Sequence, residues 1–137
     1  MTEKVLNLRL IVLYLLLLSF LSLNPWLRPD GRQIAGLITW DLVDHATAYG
    51  LLTILFLSAC KWATGRRQYL LTLMAVLTSS TMGLVLEFFQ LWFTSTRSFA
   101  FSDAIANALG AVTGAAAFWA VLILARRARL LGLGRQI

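Results

Sequence analysis

Hydrophobic residues fall into four long runs along the chain, separated by short polar breaks. The runs cover about residues 5–23, 41–60, 69–93 and 103–125. Each run is close to the ~20 residues that an α-helix needs to cross the hydrocarbon core of a bilayer. The pattern therefore predicts an all-α fold, an integral membrane bundle of four transmembrane helices.

The first run has an alternative interpretation as a secretory signal peptide. The residues that follow it, Asn24, Pro25 and Trp26, do not form the small-x-small pattern of a cleavage site. We therefore expect the first helix to be retained. Pro25, Pro29 and the residues around them predict a loop that continues to about Thr39.

The composition supports a membrane protein. Of the 137 residues, 59% are hydrophobic and only 13% are charged, with a mean hydropathy of +0.77. A soluble domain has roughly 25% charged residues. The length suits one membrane domain over residues 1–137, and we expect no separate soluble domain within them. The single Cys60 excludes an internal disulfide.

The net charge of +6 is explained by membrane orientation. The basic residues lie at the ends of apolar runs, and not on a solvated face that would suit a nucleic acid, so we expect no nucleic-acid partner. With a cytoplasmic N-terminus, the residues predicted on the cytoplasmic side are Lys4, Arg9, Lys61, Arg66, Arg67, Arg126, Arg127, Arg129 and Arg135. Arg28, Arg32 and Arg97 fall outside. Because cytoplasmic loops carry an excess of Lys and Arg, both termini are predicted to be cytoplasmic.

This topology places most acidic and amide side chains near one membrane surface. Only Glu3 among the six acidic residues is predicted inside. His45, Glu87 and Asn107, on three different helices, reach similar depths below the outer surface. Ionisable residues inside membrane segments are rare and usually face the protein interior or a wet cavity. We therefore expect these side chains to converge on one outer-leaflet site.

Glu87 is the most costly of these residues to insert. A charged acid at mid-helix costs on the order of 2.5–3.5 kcal/mol on insertion scales. In a structural role, Glu87 would form an ion pair with Arg97, or it would be protonated and hydrogen-bonded to a neighbouring helix. A functional role would make it a proton acceptor or a ligand for a head group.

Asp41 and His45 are four residues apart and therefore share a helical face. One interpretation makes Asp41 the N-cap of its helix and His45 an interfacial side chain bonded to it. The other makes His45 a general acid or base, oriented by the carboxylate. Glu87 and His45 are thus the catalytic candidates.

The remaining polar residues are candidates for ligand binding. Asp103 follows Ser102 at a predicted helix start, where capping alone would explain both. Asn107 lies one turn further, and a buried amide requires partners. Arg97 could pair with an acid or bind an anionic head group through its guanidinium. Gln90 shares a helical face with Glu87.

Small residues at helical spacing predict close packing between helices. Gly110 and Gly114 are four residues apart and allow a second helix to approach closely, and Gly83 shares a face with Glu87.

A zinc site could be built from His45 and nearby acids. With only one His and no usable Cys, we expect no metal and no cofactor.

Taken in order, these residues resemble the VanZ-like family. The residues that carry the resemblance are Asp41, His45, Tyr49, Gly83, Glu87, Gln90, Arg97, Ser98, Asp103, Asn107, Gly110 and Gly114. The sequence departs from the family at Leu42, usually Lys, and at Asp44, usually apolar. The resemblance implies a small multi-pass helical bundle of the bacterial inner membrane. The namesake's association with low-level teicoplanin resistance implies a role in the cell envelope.

Three functions follow as hypotheses. In the first, the outer-leaflet site binds or modifies a lipid-linked envelope precursor or a glycopeptide, in contact with membrane lipids. In the second, the protein is a non-catalytic accessory subunit that binds other membrane subunits. The third, a proton or ion pathway, is the weakest because the inner halves of the helices lack acids.

Overall fold

The computed structural model describes residues 3–24, 32–36, 38–61, 64–93 and 100–130. Within them lie four helices, α1 (Glu3–Leu23), α2 (Trp40–Ala59), α3 (Gly65–Phe93) and α4 (Phe101–Leu130). Two short strands, β1 (Gln33–Ala35) and β2 (Ile38–Thr39), lie between α1 and α2. All four helices are long and apolar enough to cross a membrane, which confirms the predicted all-α membrane bundle.

The last two helices are longer than the apolar runs predict. Helix α3 begins at Gly65, ahead of the predicted residue 69, and α4 continues past Arg127 to Leu130. The 29 residues of α3 correspond to about 43 Å at 1.5 Å per residue, against a hydrocarbon core of ~30 Å. Hydropathy marks the point where a helix leaves the hydrocarbon core, which is not the point where the helix ends. Because arginine is a good helix former, α3 and α4 continue past the limits of their apolar runs.

The predicted loop before α2 contains a small hairpin. Strands β1 and β2 pair antiparallel, with Gln33 opposite Thr39, and Gly36 between them has a φ of +56°. Thr39, at the end of β2, is the N-cap of α2, and its side chain accepts a hydrogen bond from the Leu42 N–H at 3.3 Å. The interpretation of Asp41 as the N-cap is therefore wrong. Asp41 lies in the first turn of the helix.

Helix α2 packs against all three other helices, and its most extensive contact is with α4. At this crossing a Cβ added to Gly50 would lie 3.0 Å from the Gly110 carbonyl oxygen. Cβ atoms added to Gly110 and Gly114 would collide with the backbones of Ala46 and Gly50, respectively. The two helices therefore meet backbone to backbone, as small residues allow in membrane bundles.

Side-chain hydrogen bonds join the helices at several heights. The Tyr14 hydroxyl of α1 donates to the Ala48 carbonyl oxygen of α2 at 2.9 Å. Lower in the bundle, the Trp119 indole N–H of α4 donates to Thr72 Oγ1 of α3 at 3.0 Å. These bonds tie α1 to α2 and α3 to α4, while the α2–α4 crossing holds the N-terminal halves of α2 and α4 together.

Candidate functional site

His45 of α2 lies at the centre of a group of polar side chains drawn from three helices. We call the group the polar cluster. Its members are Asp41, His45, Glu87, Asp103 and Asn107. Asp41 and His45 come from α2, Glu87 comes from α3, and α4 contributes the other two. The cluster is therefore assembled by tertiary packing and not by one helix.

One ring nitrogen of His45 faces the deeper side chains. His45 Nδ1 lies 2.9 Å from Asn107 Oδ1 and 3.7 Å from Glu87 Oε1. An amide oxygen only accepts hydrogen bonds, so the proton of the shorter contact lies on Nδ1. This bond fixes the orientation of the ring.

The other ring nitrogen faces two carboxylates at the helix starts. His45 Nε2 lies 3.8 Å from Asp41 Oδ1 and 3.8 Å from Asp103 Oδ2. Both distances exceed the 2.7–3.2 Å typical of an N–H···O hydrogen bond. Ser102 donates to the other Asp103 oxygen at 3.1 Å, so Asp103 directs one oxygen to its neighbour and one to His45.

Exposure falls steadily from the end of the bundle inwards. The side chain of Asp41 is 22% exposed, those of His45 and Asp103 are 12% and 13%, and that of Glu87 is 2%. Asn107 is fully buried. The cluster thus opens at the outer carboxylates and ends in an enclosed floor of Glu87 and Asn107.

The positions of His45, Glu87 and Asn107 along their helices give the three side chains a common depth. His45 lies five residues after Trp40, Asn107 six residues after Phe101, and Glu87 six residues before Phe93. At 1.5 Å per residue these offsets correspond to about 7.5–9 Å along each axis. The three side chains can therefore meet at one level.

The floor of the cluster contains polar atoms without a partner among the described residues. These are Glu87 Oε2 and Asn107 Nδ2. A buried polar group without a partner costs roughly 1–3 kcal/mol, so the cluster carries an energetic cost that the helix packing must offset.

Gly83 makes room for this floor. A Cβ added to Gly83 would lie 2.6 Å from Asn107 Nδ2 and 2.9 Å from Asn107 Cβ. Asn107 therefore packs directly on the α3 backbone, one turn before Glu87. The cluster depends on this close approach as well as on its polar members.

Two further predicted site residues are not among the described members of the polar cluster. The Gln90 amide nitrogen donates to the Ser22 carbonyl oxygen of α1 at 3.1 Å, which ties α3 to α1. Arg97, predicted to hold an anionic group, lies outside the described residues. Sequence reasoning also missed Ala46 and Gly50, which the glycines of α4 contact. The available signal was a small residue at each of two positions four apart, directly after His45 in the sequence.

The arrangement can accept hydrogen bonds, move a proton and bind a cation. Its carboxylates accept from donors on a ligand, and His45 and Glu87 lie close enough to share a proton through small movements. The cluster combines three carboxylates with one imidazole, so it favours ligand groups that donate hydrogen bonds or carry positive charge. This chemistry belongs to a largely buried, acidic site at one end of a membrane bundle.

Fold and site together define a small multi-pass helical membrane protein with a polar cluster at one end. The family model VanZ/LLP1 matches residues 11–124, which span all four helices. The chain belongs to the VanZ/LLP1 family, as its motifs predict. No curated protein and no solved structure matches the chain.

Proposed function

We propose that this VanZ/LLP1 protein works in the bacterial cytoplasmic membrane, where its polar cluster binds or modifies a lipid-linked or glycopeptide ligand at the outer leaflet. The observation that carries the proposal is Glu87. Its carboxyl group is enclosed in the bundle, has an oxygen without a partner among the described residues, and lies 3.7 Å from His45 on another helix. A purely structural acid would more simply be replaced by an apolar residue, because buried ionic groups seldom add stability.

The donor and acceptor set of the cluster favours a ligand rich in hydrogen-bond donors. The carboxylates of Asp41, Glu87 and Asp103 accept hydrogen bonds, and only the Asn107 amide offers an unused donor. Sugar hydroxyls, peptide N–H groups and ammonium groups are suitable partners. Lipid-linked envelope precursors and glycopeptides both carry such groups. An anionic part of the ligand would need a cation, a role that we assign to Arg97.

Each member of the cluster has a proposed role. Glu87 accepts a proton from the ligand and later returns it, and the Nδ1–H of His45, 3.7 Å from Glu87 Oε1, stabilises the carboxylate form of Glu87. Asp41 and Asp103, at the open end, orient the ligand as it enters. Asn107 holds the His45 ring in place through the 2.9 Å hydrogen bond.

The proposal is tested by replacing the proton-handling residues in cells. Glu87→Gln and His45→Ala should each reduce the teicoplanin resistance of a host that expresses the protein to that of cells without it. The measurement is the minimum inhibitory concentration, with membrane insertion checked by immunoblot of the membrane fraction. Ser79→Ala is the matched control, because Ser79 is another fully buried polar residue of α3 whose Oγ has no partner among the described residues.

Ser79 lies eight residues before Glu87, about 12 Å along the helix, and is not a member of the polar cluster. The control should keep full resistance. If Glu87→Gln and His45→Ala insert normally and keep the resistance of the unmodified protein, the acid–base role is wrong. If Ser79→Ala loses resistance as well, the phenotype reports bundle stability and not the site.

A further inference from the structure

We propose that Asp41, His45 and Asp103 bind a divalent transition-metal ion at the open end of the polar cluster. One ligand atom from each residue lies within 4.8 Å of the others. Two of the ligands come from successive turns of α2 and the third comes from the first turn of α4. The inference goes beyond the proposed function and does not rest on it.

The spacing around His45 Nε2 suits an ion better than it suits hydrogen bonds. Both carboxylate oxygens lie 3.8 Å from Nε2. Zinc binds imidazole nitrogen and carboxylate oxygen at about 2.0–2.2 Å. An ion placed between Nε2 and either oxygen would therefore meet both at close to bonding distance.

The tautomer of His45 also suits metal binding. Since Nδ1–H donates to Asn107 Oδ1 at 2.9 Å, the neutral ring presents the lone pair of Nε2 to the two aspartates. Metal-binding histidines almost always donate their other N–H to a carbonyl, a carboxylate or water. Asn107 fills that position here, with Glu87 Oε1 a further 3.7 Å contact of the same nitrogen.

An independent observation points to a missing cation. Glu87, at 1% exposure, has its carboxylate 3.7 Å from Nδ1 of the same His45 ring, and its Oε2 has no partner among the described residues. Glu87 brings a third carboxylate to a small volume that already holds Asp41 and Asp103. A divalent ion at the outer end would offset the mutual repulsion of these groups.

The ligand set indicates the class of metal. One imidazole and two carboxylates suit zinc and the neighbouring first-row divalent ions, whereas magnesium and calcium prefer oxygen ligands alone. Three protein ligands leave a coordination position open, as in catalytic zinc sites. When the ion is bound, His45 acts as a ligand and the acid–base role of the cluster falls to Glu87.

The test is metal binding by the full chain, purified in detergent and stripped with a chelator. Titration calorimetry with Zn²⁺ should give one site per chain. Co²⁺ should give visible absorption bands typical of a site with nitrogen and oxygen ligands. His45→Gln and Asp103→Asn should each weaken zinc affinity by at least about tenfold. Asp44→Asn is the matched control, because Asp44 is an exposed acid of α2 beside His45 in sequence and is outside the cluster.

The outcomes separate this inference from the proposed function. Absence of saturable one-to-one binding by the wild-type chain overturns the metal site, and so does a loss of affinity in Asp44→Asn equal to that in Asp103→Asn. Neither result bears on the Glu87→Gln arm of the resistance assay, because that variant leaves all three metal ligands intact. If a variant failed to fold, the Co²⁺ spectrum of the wild-type protein would by itself support the proposed metal site.

Discussion

At the residue scale, His45 is the side chain on which the cluster depends. Its ring is flanked on one side by Asn107 and Glu87 and on the other by Asp41 and Asp103. Only the contact with Asn107 has hydrogen-bond geometry, and the three carboxylate contacts are longer. The energy of the cluster should therefore be concentrated in the His45–Asn107 pair, since interaction strength falls steeply with distance and misalignment.

A double-mutant cycle on this pair gives the first stability prediction. His45→Ala and Asn107→Ala, measured singly and together, should show a coupling energy of about 0.5–3 kcal/mol, the range typical of residues in one hydrogen-bonded network. The physical reason is that either single variant leaves a buried polar partner unsatisfied, and the second removes that penalty. The measurement is unfolding by SDS titration in detergent micelles, followed by circular dichroism.

A second pair serves as the control for this cycle. His45→Ala and Ser79→Ala should add without coupling, because Ser79 lies deeper on α3 and shares no contact with His45 within the described residues. Additive effects in the His45–Asn107 pair would contradict the assigned hydrogen bond and with it the fixed tautomer of the ring.

At the element scale, the approach of α2 and α4 is what brings the cluster together. Ala46 and Gly50 follow His45 along α2, while Gly110 and Gly114 follow Asn107 along α4. The backbones meet immediately below the cluster. A wider separation at this crossing would move His45 away from both α4 members of the cluster.

The glycines of this crossing should differ in their tolerance of a methyl group. Gly110→Ala should destabilise the bundle by about 1–3 kcal/mol, the usual cost of overpacking, because its Cβ would collide with the Ala46 backbone. Gly50→Ala should cost less, because its Cβ would lie 3.0 Å from one carbonyl oxygen, and alanine is the better helix former. SDS unfolding of both variants checks the order, and equal costs would contradict the described crossing.

Much of the helical framework could be predicted from hydropathy, but the ends of the helices could not. The apolar runs located four helices, because a bilayer requires about twenty apolar residues in each. The apolar runs do not include Gly65–Gln68 or the arginines after Ala125. These residues extend α3 and α4 into polar surroundings. The β1–β2 hairpin was also missed, since its strands have three and two residues and no periodic pattern.

The members of the cluster could be proposed from sequence, but their contacts could not. Helical spacing places Asp41 with His45 and gives His45, Glu87 and Asn107 a common depth. It does not fix how each helix is rotated about its axis. That rotation depends on packing, and it turns Gln90 towards Ser22 of α1 while directing Glu87, on the same face, towards His45. The relevant signal lay in Ala46 and Gly50, which have little meaning until α4 is placed beside them.

At the scale of the whole molecule, large apolar side chains are exposed on every helix. Examples are Leu8 of α1 at 62%, Leu51 of α2 at 47%, Leu73 of α3 at 55% and Val121 of α4 at 67%. Lipid chains cover such surfaces in a bilayer. This distribution therefore fits contact with lipid around the whole bundle, and it does not single out one face for the accessory-subunit hypothesis.

Charge is separated along the bundle axis. The polar cluster lies at one end, where α2 and α4 begin and α3 ends. At the opposite end, exposed Arg66 and Arg67 begin α3, and Arg126, Arg127 and Arg129 lie near the end of α4. Lys and Arg are retained on the cytoplasmic side of membrane proteins. The basic end should therefore face the cytoplasm and the cluster the outer leaflet.

Cysteine labelling tests this orientation, and the chain is convenient because it has a single cysteine, Cys60. In a Cys60→Ser background, Gln33→Cys in the exposed strand β1 should react with a membrane-impermeant maleimide in intact cells. Thr64→Cys, exposed just before α3, should react only after the cells are permeabilised, and the Cys60→Ser protein alone gives the blank. The reverse pattern would place the polar cluster on the cytoplasmic side. A glycopeptide acting from outside could not then reach His45 or Glu87, so the outer-leaflet proposal would fail even if the metal site were present.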